Sequence, residues 1–209
     1  MGKEGGGTNI FRGHDNVQGA TDLGVLCHTL PGYYGLSTGA WKHWSRVWET
    51  DYDYLVDRFD SAEIMSAKGI PVSRWFDGVI EEPGNIEQPN PVQAMVFWGH
   101  APNSQTRLPD MKRAMEQLDT LVVIDPYPTM TAVMQDRTEG VYLLPAATQF
   151  ETYGSVTASN RSIQWREKVV DPLFESRPDH EIMFILAQKF GFAEEMFKNI
   201  SISIETALT

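Results

Sequence analysis

Apolar residues predominate in VQAMVFWG at 92–99, TLVVID at 120–125 and VYLLP at 141–145. Runs of this length, flanked by turn residues, predict buried strands. Between them, PDMKRAMEQL at 109–118 and PTMTAVMQD at 128–136 carry apolar residues at helical spacing and predict helices. Upstream, Trp41, Trp44, Trp48, Tyr52 and Leu55 recur every three or four residues and predict one apolar helix face, whose plain meaning is core packing. A short helix ending at Gly69-Ile70-Pro71 follows, and Trp75, Phe76, Val79 and Ile80 suggest another. The stretch PDHEIMFILAQKFGF at 178–192 predicts a helix capped by Asp179 and stopped by Gly191. By contrast, GGGTNIFRGHDNVQGATDLG at 5–24 has no periodic apolar face. Such a segment is either a disordered leader or a backbone shaped to touch something other than protein.

Strands alternating with helices predict an α/β fold: a three-layer, Rossmann-like parallel sheet flanked by helices, with strands 93–98, 120–125 and 141–145 as parallel neighbours. The divisions expected are 1–39 as a glycine-rich loop and lead-in and 40–91 as a helical, aromatic-rich segment. The parallel-sheet region is expected over 92–148, and a final segment with its helix over 149–209. Ligands of open parallel sheets sit beyond the carboxyl ends of the strands. Here those ends are the loops beginning at Gly99, Asp125 and Pro145, all small, polar or proline-bearing. That suits a backbone-lined nucleotide site, and short connections look the same.

Composition narrows the choice. The chain has 209 residues, 42% hydrophobic and 22% charged, as soluble globular domains have. Its formal net charge of −11 disfavours broad phosphate-backbone binding, so no nucleic acid is expected. No apolar run predicts a membrane span. The single cysteine, Cys27, excludes an internal disulfide and a cysteine-only metal or cluster site among these residues. His28, His43, His100 and His180 share no common metal-ligand spacing.

Four segments then become meaningful together: NIFRGHDNVQGATDLG, WGHAPNSQTRLPDM, LVVIDPYPTMTA and YLLPAATQFETYGSVTASNRSIQWREKVV. Their order and spacing resemble the catalytic alpha subunit of formate dehydrogenases, molybdenum or tungsten enzymes that use a bis-molybdopterin guanine dinucleotide cofactor. The cytoplasmic, NAD-linked branch is the nearest in appearance. Family subunits are several times longer and carry iron–sulfur cysteines and a catalytic cysteine or selenocysteine upstream. The resemblance therefore implies an internal fragment, inactive alone, with the clusters and NAD site elsewhere. Its partners would be formate, the remainder of the alpha subunit and electron-transfer subunits.

Residue by residue, the resemblance implies that Arg12 holds formate beside the metal, since a guanidinium fork matches a carboxylate. Gly13 would let the backbone approach the pterin. His14 stands where relatives place a polar side chain. It would tune proton transfer or make a structural polar contact. Asn16, Gln18 and Asp22 would meet cofactor edges or satisfy the glycine-rich loop. Gly99, His100 and Asn103 match the loop after the first strand. Asp125 matches the acidic end of the second, accepting from guanine or ribose or capping the next helix. Pro145, Glu151, Gly154, Ser155, Thr157 and Arg161 match a signature running beneath the cofactor. Ala158 and Asn160 depart from its common form, and Gln164 closes the segment. Cys27-His28 mimics the catalytic dipeptide but follows the arginine motif, so Cys27 reads as a small buried or loop residue. The competing readings are a non-catalytic nucleotide-binding or scaffold module that kept the fold, and an interaction domain using the 41–55 aromatics.

Overall fold

The computed structural model describes residues 2–8, 11–86, 88, 90–100, 106–198 and 200. They form two compact units. The first takes the described residues of Met1–Ile70 together with Gly154–Arg166; the second takes those of Pro71–Tyr153 and Glu167–Thr209.

The first unit begins with α1 (Val17–Asp22), then a small antiparallel pair, β1 (Thr29–Leu30) and β2 (Tyr34–Gly35), joined by a 3₁₀ turn at Pro31–Tyr33. Next come α2 (Thr38–Val47), α3 (Tyr52–Asp57) and α4 (Ala62–Met65). The aromatic stripe expected on one helix is divided between α2 and α3. Glu49 turns to φ 52, and Asp51 caps a new helix by accepting from the Asp53 N–H at 3.0 Å. Ser37 caps α2 in the same manner, accepting from the Ala40 N–H at 3.3 Å. The stripe still serves one core, because Trp41, Trp44, Tyr52 and Leu55 gather with Leu30, Ala40 and Met65. Trp48 stands at its rim, 5.4 Å from Trp44 ring to ring. The next helix, α4, ends at Met65, earlier than Gly69-Ile70-Pro71 suggested.

The second unit contains α5 (Asp77–Ile80), β3 (Ala94–Trp98), α6 (Leu108–Gln117), β4 (Thr120–Asp125), α7 (Met130–Val133) and β5 (Val141–Pro145). The expected strands are parallel neighbours in the order β3-β4-β5, with Ala94 opposite Thr120 and Leu121 opposite Val141. α6 opens with proline in its first turn and Asp110 beside it, both favoured there. Its Met111, Ala114, Met115 and the following Leu118 all have no exposed surface. They pack with Trp75, Phe76, Phe97, Leu121 and Val123 against one sheet face. The hairpin β6 (Gly154–Thr157) and β7 (Ile163–Arg166) is antiparallel and belongs to the first unit.

α8 (Asp179–Phe190) covers the other face of the sheet, with Ile182 and Leu186 against Trp98, Val122, Ile124 and Leu144. A short α9 (Ala193–Met196) follows. The sheet thus lies between helical layers, as the alternation of elements predicts. Gly191 ends α8 in the left-handed conformation at φ 81, as expected of a C-terminal glycine. Asp179 does not cap α8. Its carboxylate instead accepts from the Trp98 indole N–H at 2.6 Å, tying the helix start to the sheet. The middle helix, α7, is four residues long rather than the full 128–136. β5 is also less buried than its apolar run implied: as an edge strand it leaves Tyr142 and Leu143 exposed. No helix among the described residues is long and apolar enough to cross a membrane.

Candidate functional site

Asn16, Arg12 and Asp22 each tie the glycine-rich segment to the β6–β7 hairpin of the first unit. Asn16 takes the left-handed conformation at φ 56 immediately before α1, a region that asparagine tolerates better than most residues. Its Oδ1 accepts from the Thr157 N–H at 3.0 Å, joining the loop to β6 across 141 residues of chain. Gly19 makes this closeness possible. A Cβ there would lie 2.2 Å from Asn16 Oδ1 and 2.9 Å from Thr157 Oγ1. Asn16→Ala should therefore lose the hydrogen bond and strain the backbone, costing ~2 kcal/mol together. Asn16→Gly removes the bond but relaxes the backbone, so urea unfolding should rank wild type above glycine above alanine.

Loop and hairpin enclose a cleft of about 400 Å³. Arg12, His14, Asn16, Thr157, Asn160 and Gln164 supply much of its polar lining, and Phe11 and Val156 its apolar part. The Arg12 backbone N–H donates to Ser159 Oγ at 3.0 Å. Its Nη2 donates to Gln18 Oε1 at 3.3 Å and to the Tyr33 hydroxyl at 3.4 Å. Both acceptors are neutral, and Arg12 has no carboxylate partner among the described residues. Gln18, only 4% exposed, also donates through Nε2 to Tyr33 at 2.9 Å and to Asp22 Oδ1 at 2.8 Å.

The expectation left Asn16, Gln18 and Asp22 open between cofactor contact and loop support; within the chain, all three make hydrogen bonds that support the loop. Asp22 is further paired with Arg161, whose Nε and Nη2 lie 3.2 and 3.3 Å from its two oxygens. The Arg161 bond holds the Asp22 carboxyl below the usual carboxylate range, against the opposing push of burial. Tyr33 and Ser159 escaped the sequence reading. Tyr33 follows Pro31-Gly32, a turn signal, and carries a positive φ of 65 that side chains rarely adopt. No comparable local signal marks Ser159.

His14 and Gln164 have no side-chain partner among the described residues. Gly13 is exposed, and a Cβ there would meet nothing within 4 Å. Gly154 and Ser155 open β6 opposite Arg166 and Trp165. Cys27 is exposed in the turn between α1 and β1, its Sγ 3.8 Å from His28 Nδ1.

The remaining expected residues belong to the second unit, at the carboxyl ends of its strands. Gly99 leaves β3 at φ 59 with its N–H on the Ile124 carbonyl at 2.8 Å. His100 stacks on Phe97 with centroids 6.2 Å apart, and its carbonyl accepts from Thr131 Oγ1 at 2.8 Å. Asn103 lies outside the described residues. Asp125 does not cap α7; its Oδ1 accepts from the Tyr127 N–H at 3.1 Å, closing a local turn. Pro145 is its register partner on β5.

Glu151 is buried, and its carboxylate clamps the loop beyond β5. It accepts from the Thr148 N–H at 2.6 Å, the Thr148 hydroxyl at 2.9 Å and the Leu173 N–H at 3.2 Å. These donors, the Thr148 N–H foremost, hold the Glu151 carboxyl below the usual range. A depressed carboxyl stabilises the fold fully above its unfolded pKa of about 4.3. That contribution disappears as pH falls through the lower folded value. Melting curves of wild type and Glu151→Gln should accordingly differ most at pH 6 and converge towards pH 3.

The sequence profile of the molybdopterin oxidoreductase family matches residues 12–189. Among curated proteins, the F420-dependent formate dehydrogenase subunit alpha of Methanocaldococcus jannaschii is 30% identical over 200 residues, covering 95% of this chain and 26% of its own. The F420-dependent formate dehydrogenase 2 subunit alpha of Methanococcus maripaludis is 31% identical over 196 residues, covering 94% and 25%. The trimethylamine-N-oxide reductase of Vibrio vulnificus strain YJ016 is 36% identical over 151 residues, covering 65% and 17%. The chain thus spans about a quarter or less of the length of these relatives. Acetylene hydratase from Pelobacter acetylenicus, a solved structure, matches at TM-score 0.42 and 21% identity over 62% of this chain and 17% of that one, too slight a likeness to bear on the site. With its profile match spanning the Arg12 loop, the parallel sheet and α8, the chain belongs to the molybdopterin oxidoreductase family.

Proposed function

We propose that this chain supplies part of the substrate and pterin site of a molybdopterin-dependent formate dehydrogenase. One observation carries the reading: the Arg12 guanidinium sits at a cleft, oriented by neutral oxygens and paired with no carboxylate among the described residues. An oriented cation without a partner suits a small carboxylate. The cleft also fits the edge of a pterin. Asn16, Thr157, Asn160, Ser162, Gln164 and His14 offer hydrogen-bonding groups beside Phe11 and Val156. Exposed Gly13 leaves room for close approach.

A molybdenum- or tungsten-bearing pterin would, when bound, supply the acceptor for the two electrons that leave as formate becomes carbon dioxide and a proton. Arg12 binds and orients the formate carboxylate and offsets its charge as the C–H bond is lost. His14, on the same cleft, accepts the proton at a ring nitrogen. Ser159 fixes the Arg12 backbone, and Gln18 and Tyr33 fix its side chain. Gly99, His100, Asn103 and Asp125, by their match to the family's motifs, hold a guanine dinucleotide arm of the bis form of the cofactor, and Pro145 and Glu151 belong to the signature running beneath it. Gly154, Ser155, Thr157 and Arg161 support the pterin side.

One cysteine cannot hold an iron–sulfur cluster. Clusters and the acceptor site, NAD or another carrier, therefore lie on other parts of a cytoplasmic complex, and these 209 residues alone do not turn over formate. The identity to a trimethylamine-N-oxide reductase favours a second reading, an amine N-oxide as substrate. The unpaired Arg12 cation argues for the anion. Assaying the cofactor-loaded, full-length enzyme with formate and with trimethylamine N-oxide separates them: N-oxide reduction without formate oxidation overturns the proposal.

A further inference from the structure

Arg12 has a carboxylate close at hand that it does not use. The Gln18 side-chain amide accepts from Arg12 Nη2 at its oxygen and donates to Asp22 Oδ1 at its nitrogen. Arg12 and Asp22 are therefore separated by a single amide group. That is within the ~8–10 Å over which charges remain coupled at physiological ionic strength. An unneutralised Asp22 would act as a tethered competitor, occupying Arg12 electrostatically before any dissolved anion arrived. Among the described residues the cation on Asp22 is Arg161, which engages both carboxylate oxygens at 3.2 and 3.3 Å. Arg161 does this from a left-handed backbone at φ 64, a conformation costly for arginine and imposed by the β6–β7 turn.

We propose that Arg161 is a positioning residue that sequesters Asp22 and so keeps the Arg12 charge available to a small anionic substrate. Arg161 acts here through Asp22, apart from any contact it makes with cofactor, and the proposal rests on the reading of Arg12 as the substrate cation. The lowered carboxyl of Asp22, due first to Arg161, agrees with a carboxylate kept ionised and paired. Gln18 and Tyr33 can then hold the Arg12 guanidinium without discharging it.

The test uses the purified 209-residue chain, following the Arg12 guanidinium 15Nε resonance while titrating formate or, separately, nitrate. Arg161→Gln should weaken anion binding about fivefold, the effect of one uncompensated charge at this separation in a mostly aqueous dielectric. Asp22→Asn/Arg161→Gln, which removes both charges, should return to within about twofold of wild type. Three results would each overturn the proposal. The double variant could remain as weak as Arg161→Gln, which is what a merely structural role for Arg161 requires. It could bind severalfold more tightly than wild type, showing that Asp22 reaches Arg12 despite its partner. Or Arg12 could respond to neither anion in wild type. The double variant alone decides the matter if Arg161→Gln does not fold. Equal response to formate and nitrate would count against formate as the substrate while leaving the order of the variants, and so the role of Arg161, intact.

Discussion

Arg12→Ala in the cofactor-loaded enzyme should lower formate turnover by on the order of 10²–10³-fold, the usual loss on removing one preorganised donor to developing charge. The reasoning begins with what the side chain touches. Its partners, Gln18 and Tyr33, are neutral and close to the limit of hydrogen-bond length, at 3.3 and 3.4 Å. They orient the guanidinium without satisfying its charge, which leaves that charge open to the proposed substrate. Arg12→Lys should recover only part of the rate, since an ammonium carries the charge without the planar fork. Pterin and metal content should stay near wild type, because the Asn16–Thr157 bond that holds the loop to β6 does not involve this side chain. Steady-state kinetics with cofactor quantified in each variant checks this. Near-normal turnover of Arg12→Ala at unchanged loading would remove Arg12 from the substrate site.

The largest effect on stability is expected at Phe76. It has no exposed surface and belongs to the cluster beneath the parallel sheet, with Met111, Met115, Leu118, Phe97 and Leu121. Truncation to alanine leaves a cavity among side chains that are held by a helix and a sheet and relax little. A Phe→Ala change of this kind costs ~3–5 kcal/mol. The ring also carries the Arg107 guanidinium 4.5 Å from its centroid, a contact worth about 0.5–1 kcal/mol where partly exposed. Arg107 in turn pairs with buried Asp77 at 2.9 Å, so the cavity loosens the ion pair as well. Domains are stable by only ~5–15 kcal/mol, so Phe76→Ala should unfold much of the second unit near 37 °C. Phe76→Leu, which keeps most of the volume, should cost less than half as much. Urea unfolding followed by tryptophan fluorescence reads both, and a loss below about 1 kcal/mol for alanine would show that the ring is not part of the core.

The parallel sheet was legible in the residues because its signals are local. The runs at 94–98, 121–124 and 141–145 are continuous and apolar, and the Met111, Ala114, Met115, Leu118 spacing needs one helix to make sense of it. The Arg12 loop was conspicuous for the opposite reason, having glycines and polar groups where a core-forming element would have apolar periodicity. The family resemblance, carried by motifs that are each contiguous, was readable on the same ground.

What only tertiary structure decided are the pairings made across the chain. Asn16 meets Thr157, Arg12 meets Ser159 and Asp22 meets Arg161, each over about 140 residues, and no periodicity encodes such distances. Tyr33 becomes part of the Arg12 network only because the turn after Pro31 takes two successive positive φ values. Even the aromatic stripe illustrates the limit. Its spacing is compatible with one helix, but Asp51 offers the backbone a cap, and a break after Trp48 lets α3 share a core with α2. Local periodicity records which face of each element is apolar. Hydrogen bonds between distant polar groups form only once burial has brought those faces together, and this is where the charge on Arg12 is kept from Asp22.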